Sequence, residues 1–256
     1  MAIGLGAPKR YFPVRKMNRT GNLVAFLILA GIAVLVFLYG IYIAYLAYQK
    51  HGPAQIDVNF PLPVIIAGVV FLLGLLAGWS AYVNWNKGVA VYERGFAIRD
   101  RNGIRPWRWE DVVSLKAAIT RHYTNGIYTG TTHVYTLFDR QNQRLVLSDI
   151  YSRVEELAKA IQDAIYPILF DQAARQYNAG QELVFGPVLI STSGIQIGKK
   201  TFPWNDVEQV AIQKGILKVS KKGGGWFSGA SAPASVIPNL NVLLNIIQQV
   251  VGLKTG

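Results

Sequence analysis

The sequence predicts an α+β protein: a two-helix transmembrane hairpin followed by a duplicated antiparallel β module, each copy closed by a C-terminal helix. Three observations carry this. Two uncharged runs of 26 residues, Leu23–Tyr48 and Pro61–Asn86, each exceed the roughly 20 residues that cross a hydrocarbon core as a helix. Beyond Asn86 the pattern changes to short alternating runs broken by Gly, Asn and Asp, which reads as strands joined by tight turns. The phrase GFAIRDRNGIRPWRWEDV, Gly95–Val112, then returns as GIQIGKKTFPWNDV, Gly194–Val207.

Composition agrees. Of 256 residues, 51% are hydrophobic and 16% charged, the formal net charge is +12, and there is no cysteine. The missing thiol excludes disulfides, Fe–S clusters, thiolate zinc sites and cysteine nucleophiles.

Residues 1–22 form a basic segment carrying Lys9, Arg10, Arg15, Lys16 and Arg19 and no acid. The spans follow at 23–48 and 62–86, with a short external connector, 49–61, in which Lys50 and Asp57 cancel. The positive-inside rule places both termini in the cytoplasm of a multi-pass inner-membrane protein. The first run is too long for the apolar region of a signal peptide and has no clear small-x-small cleavage site. Tyr39, Tyr42, Tyr45 and Tyr48, and Trp79, Tyr82 and Trp85, suit the interfacial belts. Neither run holds an ionisable acid, base or histidine, whereas transporters place such groups at membrane depth. Gly74 and Gly78 form a G-x-x-x-G pair that serves packing within the hairpin or between copies.

The first copy of the β module occupies 87–178 and the second 179–256. Val89 and Val91, then Phe96 and Ile98, begin the strands, and Asp100–Gly103 gives an Asn-Gly hairpin signal of type I′. Further strands fall at Val112–Thr120, Thr132–Asp139 and Arg144–Leu147. Ser152 to Glu155 matches a capping box, and Val154, Leu157, Ala158, Ile161 and Ile165 make a helical stripe that Pro167 kinks or ends. A further helical piece runs to Asn178, with Gly180 as terminator. In the second copy, Leu240, Leu243, Leu244, Ile247 and Val251 make the closing stripe, with Pro238 in its first turn. Trp107, Trp109 and Trp204 read as core or sheet packing, and Asp111 and Asp206 as turn-forming residues.

Strands closed by one helix, with the phrase VYERGFAIRDRNGIRPWRWEDV, resemble bacterial pleckstrin-homology-like (PH-like) domains in uncharacterised membrane proteins. The resemblance implies tandem PH-like antiparallel β-barrel domains over about Gly88–Val251. It carries little about function, since such folds bind lipids, peptides and proteins or build assemblies.

No catalytic, cofactor or metal site is expected. His122 and His133 lack a well-placed carboxylate partner in sequence, and His51 is expected outside. Gly223–Gly225 lacks the rest of a P-loop, and no nucleophile elbow occurs. The scattered basic residues and the absence of a recognition helix argue against nucleic acid. Two segments are candidate protein or lipid contacts. Arg121–Thr132 carries Tyr123 and Tyr128; Lys218–Ser235 carries Lys221, Lys222, Trp226 and Phe227. The second fits an anionic leaflet, its own domain or a partner subunit equally well. The expected function is non-enzymatic: a membrane-anchored binding or assembly protein, an accessory subunit of a larger complex, with a protein partner or a homo-oligomer. The alternative is an anionic-lipid-sensing factor in envelope maintenance or transport, its partners being the bilayer and acidic headgroups.

Overall fold

A computed structural model describes residues 4–52, 60–224, 229–250 and 252. The apolar runs form helices α1, Asn22–His51, and α2, Pro61–Asn84. Small residues form their seam: a Cβ on Gly74 would lie 3.2 Å from the Leu29 Cβ, and one on Gly78 would lie 3.2 Å from the Phe26 ring. The G-x-x-x-G pair therefore packs within the hairpin. The buried positions are Ala33, Gly40, Ala44, Ala67, Gly74 and Ala81, while Leu27, Ile28, Leu35, Leu38, Leu72 and Leu76 are exposed. At one end, Asn22 Nδ2 donates to Ser80 Oγ at 2.9 Å.

This hairpin belongs to one of two compact units, Pro13–Val89 with Ile98–Ile104; the other comprises Met1–Phe12, Ala90–Ala97 and Arg105–Gly256. The strands run in simple meanders. β1 (Pro8–Pro13), β2 (Gly88–Tyr92), β3 (Gly95–Asp100) and β4 (Gly103–Arg108) form a four-stranded sheet in chain order. β5 (Val112–Thr124), β6 (Ile127–Asp139) and β7 (Arg144–Ser148) form a three-stranded one, followed by α3 (Val154–Asn178). The plan then repeats. β8 (Leu183–Phe185), β9 (Val188–Ile190), β10 (Gly194–Ile197) and β11 (Lys200–Pro203) make four strands. β12 (Val207–Gln213), β13 (Ile216–Lys221) and β14 (Ala230–Pro233) make three, and α4 (Leu240–Val250) follows.

The duplicated phrase has a duplicated geometry. Trp109 and Trp204 each open a 3₁₀ turn, Trp109–Asp111 and Trp204–Asp206. Each indole donates to a carbonyl ahead of the preceding hairpin: Trp109 to Glu93 O at 2.9 Å, Trp204 to Ser191 O at 2.8 Å. The glycines that open the phrases lie where a Cβ would collide with a backbone oxygen, Trp107 O for Gly95 and Phe202 O for Gly194. The carbonyls of Asp111 and Asp206 both accept a backbone N–H, from Arg140 and Lys222. Trp107 and Trp109 are buried around the Phe96 ring, with centroids 5.7 and 5.4 Å away.

The expected PH-like barrels do not form. Each copy contains two separate open sheets, and no ladder joins β4 to β5 or β11 to β12 among the described residues. The 3₁₀ turns interrupt the extended chain at both junctions. In the first copy the outer edge of β5 is also occupied. Asn239, at φ 50°, places its amide against that edge: Oδ1 accepts Leu115 N–H and Nδ2 donates to Val113 O, both at 2.9 Å. The Asn239 backbone N–H donates to Leu115 O, also at 2.9 Å. One residue from the second copy thus imitates a short strand on the first.

Other expectations are adjusted. The N-terminal basic segment is not only a charge cluster: it contributes β1, with Leu5 and Phe12 buried. Arg10 and Arg153 flank the Phe12 ring, and Arg10 Nη1 meets Glu156 Oε2 at 3.1 Å. The Asp100–Gly103 turn is not type I′, because neither Arg101 nor Asn102 has positive φ; instead the Asp100 carboxylate accepts Asn102 N–H at 2.8 Å. The expected capping box is absent: Arg153 takes the left-handed conformation and no side chain caps α3. α3 runs through Pro167 to Asn178, and its expected stripe is buried. In α4, Leu243 and Ile247 of the expected stripe are buried together with Val242 and Ile246, Leu240 and Leu244 are half-buried, and Val251 lies outside the described residues.

Asn239→Gly keeps the backbone conformation but deletes two edge hydrogen bonds, each worth about 1 kcal/mol. It is expected to lower unfolding free energy by about 2 kcal/mol. Asn239→Ala adds the left-handed backbone penalty of about 1 kcal/mol. Denaturant titration followed by tryptophan fluorescence should therefore rank wild type above Asn239→Gly and Asn239→Ala last.

Candidate functional site

The strongest candidate surface is the ribbon formed by β5 and β6. Both strands have 13 residues, and their ladder continues to Thr124 and Ile127. Arg121–Thr132 is accordingly strand rather than loop, except for the two-residue turn at Asn125 and Gly126. Both turn residues have positive φ, 51° and 78°, as a type I′ turn demands. β7 supports β6 only from Val134 to Phe138. Beyond that support the ribbon has two strands, an arrangement only marginally stable alone in water.

The unsupported end exposes apolar surface. Ile119, Tyr123, Ile127 and Tyr128 are each more than half exposed. The rings of Tyr123 and Tyr128 meet edge to face, with centroids 5.9 Å apart, and Tyr128 Oη lies 2.7 Å from Thr131 Oγ1. From Val112 to Phe138 there is no acidic residue, while Lys116 and Arg121 are basic. His122 Nε2 contacts Thr132 Oγ1 at 2.7 Å.

At the ribbon's base lies a polar cluster that the sequence did not disclose. His133 on β6 is held between Asp149, after β7, and Glu155, in the first turn of α3. Its Nδ1 is 3.2 Å from Asp149 Oδ1 and its Nε2 is 3.0 Å from Glu155 Oε1. Asp149 Oδ2 also accepts the His133 backbone N–H. With a carboxylate on each ring nitrogen, neither nitrogen is left to activate a nucleophile. No metal-competent group of three His, Asp or Glu occurs among the described residues. The nearby Tyr135 phenol is pushed above its ordinary value by burial, with the charges of Glu155 and Asp149 adding to the effect. Glu155 reaches His133 instead of capping its own helix, so only the fold reveals the pairing.

The second candidate segment is divided. Lys221 ends β13 and its Nζ lies 3.2 Å from Asp206 Oδ2, so it closes its own module; Lys222 is exposed in the following turn. Trp226 and Phe227 lie outside the described residues. Elsewhere, a cavity of about 100 Å³ sits where α3 and α4 meet β5, lined by Leu115, Ile165, Tyr166, Ile237 and Asn239. It offers the amides of Gln162, Asn239 and Asn241 and the Tyr166 phenol among apolar walls, and no acid, base or nucleophile pair.

A family match extends over residues 2–254. The chain belongs to DUF6585, a family of unknown function. No curated protein matches it in sequence. For this DUF6585 chain, membership in an uncharacterised family and the four open sheets together replace the PH-like resemblance. The expected role of an assembly or lipid-sensing protein built on tandem PH-like domains falls with that barrel.

The raised Tyr135 proton affinity has a defined pH signature. The folded chain holds this proton more tightly than the unfolded chain. The associated stability is fully present below the phenol's ordinary value of 10.0 and is lost as pH rises through the folded value. Unfolding measured from pH 8 upward should show an alkaline loss in wild type that is smaller in Tyr135→Phe. Glu155→Gln should reduce the loss in part, since burial is the larger cause. An unchanged alkaline loss in Tyr135→Phe would assign the effect elsewhere.

Proposed function

We propose that the protein is a non-catalytic, two-span membrane protein acting at the lipid surface. In this reading α1 and α2 cross the bilayer, both termini face the cytoplasm, and the β5–β6 ribbon meets anionic headgroups. The observation that carries the reading is the outward face of the hairpin. Its large apolar side chains are exposed and its seam contains small residues; only about a tenth of each apolar window is buried. A core helix of a soluble protein reverses that arrangement. The basic residues ahead of α1, free of acids, give the orientation.

The ribbon adds the contact surface. Its exposed Tyr and Ile side chains and its lack of acid suit an acidic interface, where each nearby Lys or Arg contributes about 1 kcal/mol. The doubly engaged His133 and the chemically plain cavity support a non-catalytic role. A second reading, pairing of ribbons between two protein molecules, draws on the edge of β5 beyond Leu115, past the Asn239 contact, and on the length of β6 beyond β7.

The natural absence of cysteine makes the topology directly testable. Gln49→Cys, at the connector end of α1, is expected to react with an impermeant maleimide in intact cells, and Lys222→Cys only after permeabilisation. Equal labelling of both before permeabilisation would contradict the orientation. For the ribbon, an environment-sensitive dye on Ile127→Cys should shift to the blue in nanodiscs containing phosphatidylglycerol relative to phosphatidylcholine. Identical emission in the two would remove the headgroup contact, and a shift dependent on protein density would favour ribbon pairing.

A further inference from the structure

One end of the helical hairpin combines an apolar groove with a cation that has no carboxylate partner. The groove, about 800 Å³, is walled by Leu23 and Phe26 of α1 and by Leu72, Leu76, Trp79 and Tyr82 of α2. Arg101, from the β3–β4 turn of the same unit, lies over its aromatic rim. The guanidinium carbon is 4.6 Å from the Tyr82 ring centroid and 5.5 Å from that of Trp79. No carboxylate lies within ion-pair distance of Arg101 among the described residues. Its neighbour Asp100 holds the turn through Asn102 N–H.

A second arginine stands one helical turn away on both walls. Arg19 precedes Leu23 by four residues, and its guanidinium carbon lies 5.3 Å from the ring of Trp85, three residues after Tyr82. The buried Arg19 Nε has no hydrogen-bond partner among the described residues. Such an atom carries a desolvation cost unless an acceptor satisfies it. The surrounding sequence is basic on balance, with Arg15, Lys16, Lys87, Arg94 and Arg99 against Glu93 and Asp100.

We propose that this end of the hairpin is a binding site for one anionic phospholipid. An acyl chain occupies the groove between Phe26, Leu72 and Leu76. The headgroup phosphate accepts hydrogen bonds from Arg101, whose planar face is already fixed by Trp79 and Tyr82, and the charge of Arg19 adds to the attraction. Stacking leaves the edge of a guanidinium free to donate while its face is occupied. An apolar groove with Arg101 over its aromatic rim is complementary to a negatively charged lipid and not to another apolar helix. The inference rests on α1 and α2 spanning the bilayer.

The test uses the full chain purified in mild detergent after exchange into equal amounts of phosphatidylglycerol and phosphatidylcholine. Retained lipid is read by native mass spectrometry. Wild type is expected to hold one phosphatidylglycerol in preference to phosphatidylcholine. Arg101→Gln should weaken that preference about fivefold, the equivalent of one surface cation, and Arg101→Lys should restore part of it. Leu76→Trp, which fills the groove, should lower retention of both lipids. Equal retention of the two lipids by wild type, or an unchanged preference in Arg101→Gln, overturns the site. So does a protein dimer without lipid that cross-links through Leu76→Cys. Alkaline carbonate extraction of the membranes from which the protein is purified separates the two readings. Release of wild type into the soluble fraction defeats the membrane-spanning reading itself. Retention in the membrane without a lipid preference defeats only the site.

Discussion

Asn239 is the point on which the β-rich unit turns. Its side-chain amide supplies an acceptor and a donor with the spacing of a peptide group, and it uses both on the edge of β5. An uncovered edge strand offers the same groups to any passing chain. By filling that edge with one residue, the protein joins its two copies and leaves no place there for a further strand. The left-handed backbone at Asn239 is part of the device, since asparagine tolerates that conformation better than most side chains do. The same asparagine lines the cavity where the middle of α3 and the start of α4 meet β5.

The duplication is most exact where backbone groups need partners. Tryptophan indoles, close-approach glycines and aspartate carbonyls recur with matching roles in both copies. Among the strands, divergence is greatest in the three-stranded sheets. β5 and β6 have 13 residues each, whereas β12 and β13 have 7 and 6. The second copy therefore represents the packed minimum, and the additional length in the first projects as the ribbon. Surplus length with exposed tyrosine and no acid is a feature the packing of the module itself does not require.

Periodicity made much of this legible. The α3 stripe from Val154 to Ile165 and the alternation of Phe96 with Ile98 depend on residues close in sequence, and both are buried as read. The repeat was visible because the same local hydrogen bonds demand the same residue types. Features set by distant partners were not visible. PKRYFP has no strand alternation, and β1 pairs with a strand on the far side of both long helices. Asn239 reaches backbone groups 124 and 126 residues away. Ser152 and Glu155 have the right spacing for a capping box, but His133 competes for the glutamate. Tyr123 and Tyr128 were recognisable as a surface pair; the reach of the ladder beneath them was not. The barrel was the larger error, because local strand pattern does not specify whether neighbouring sheets close.

The position of β1 also imposes an order on synthesis. Its sheet neighbour β2 leaves the ribosome only after α1, the connector and α2, a delay on the order of seconds at ordinary elongation rates. During that interval Phe12 and Leu5, fully buried at the end, have no sheet to enter. The earliest strand made thus waits for both long helices before it has a partner, and its docking reports that the whole helical insertion has been completed. A chain whose apolar helices had gone astray would present an orphaned N-terminal strand, a ready distinction between finished and unfinished molecules for quality control.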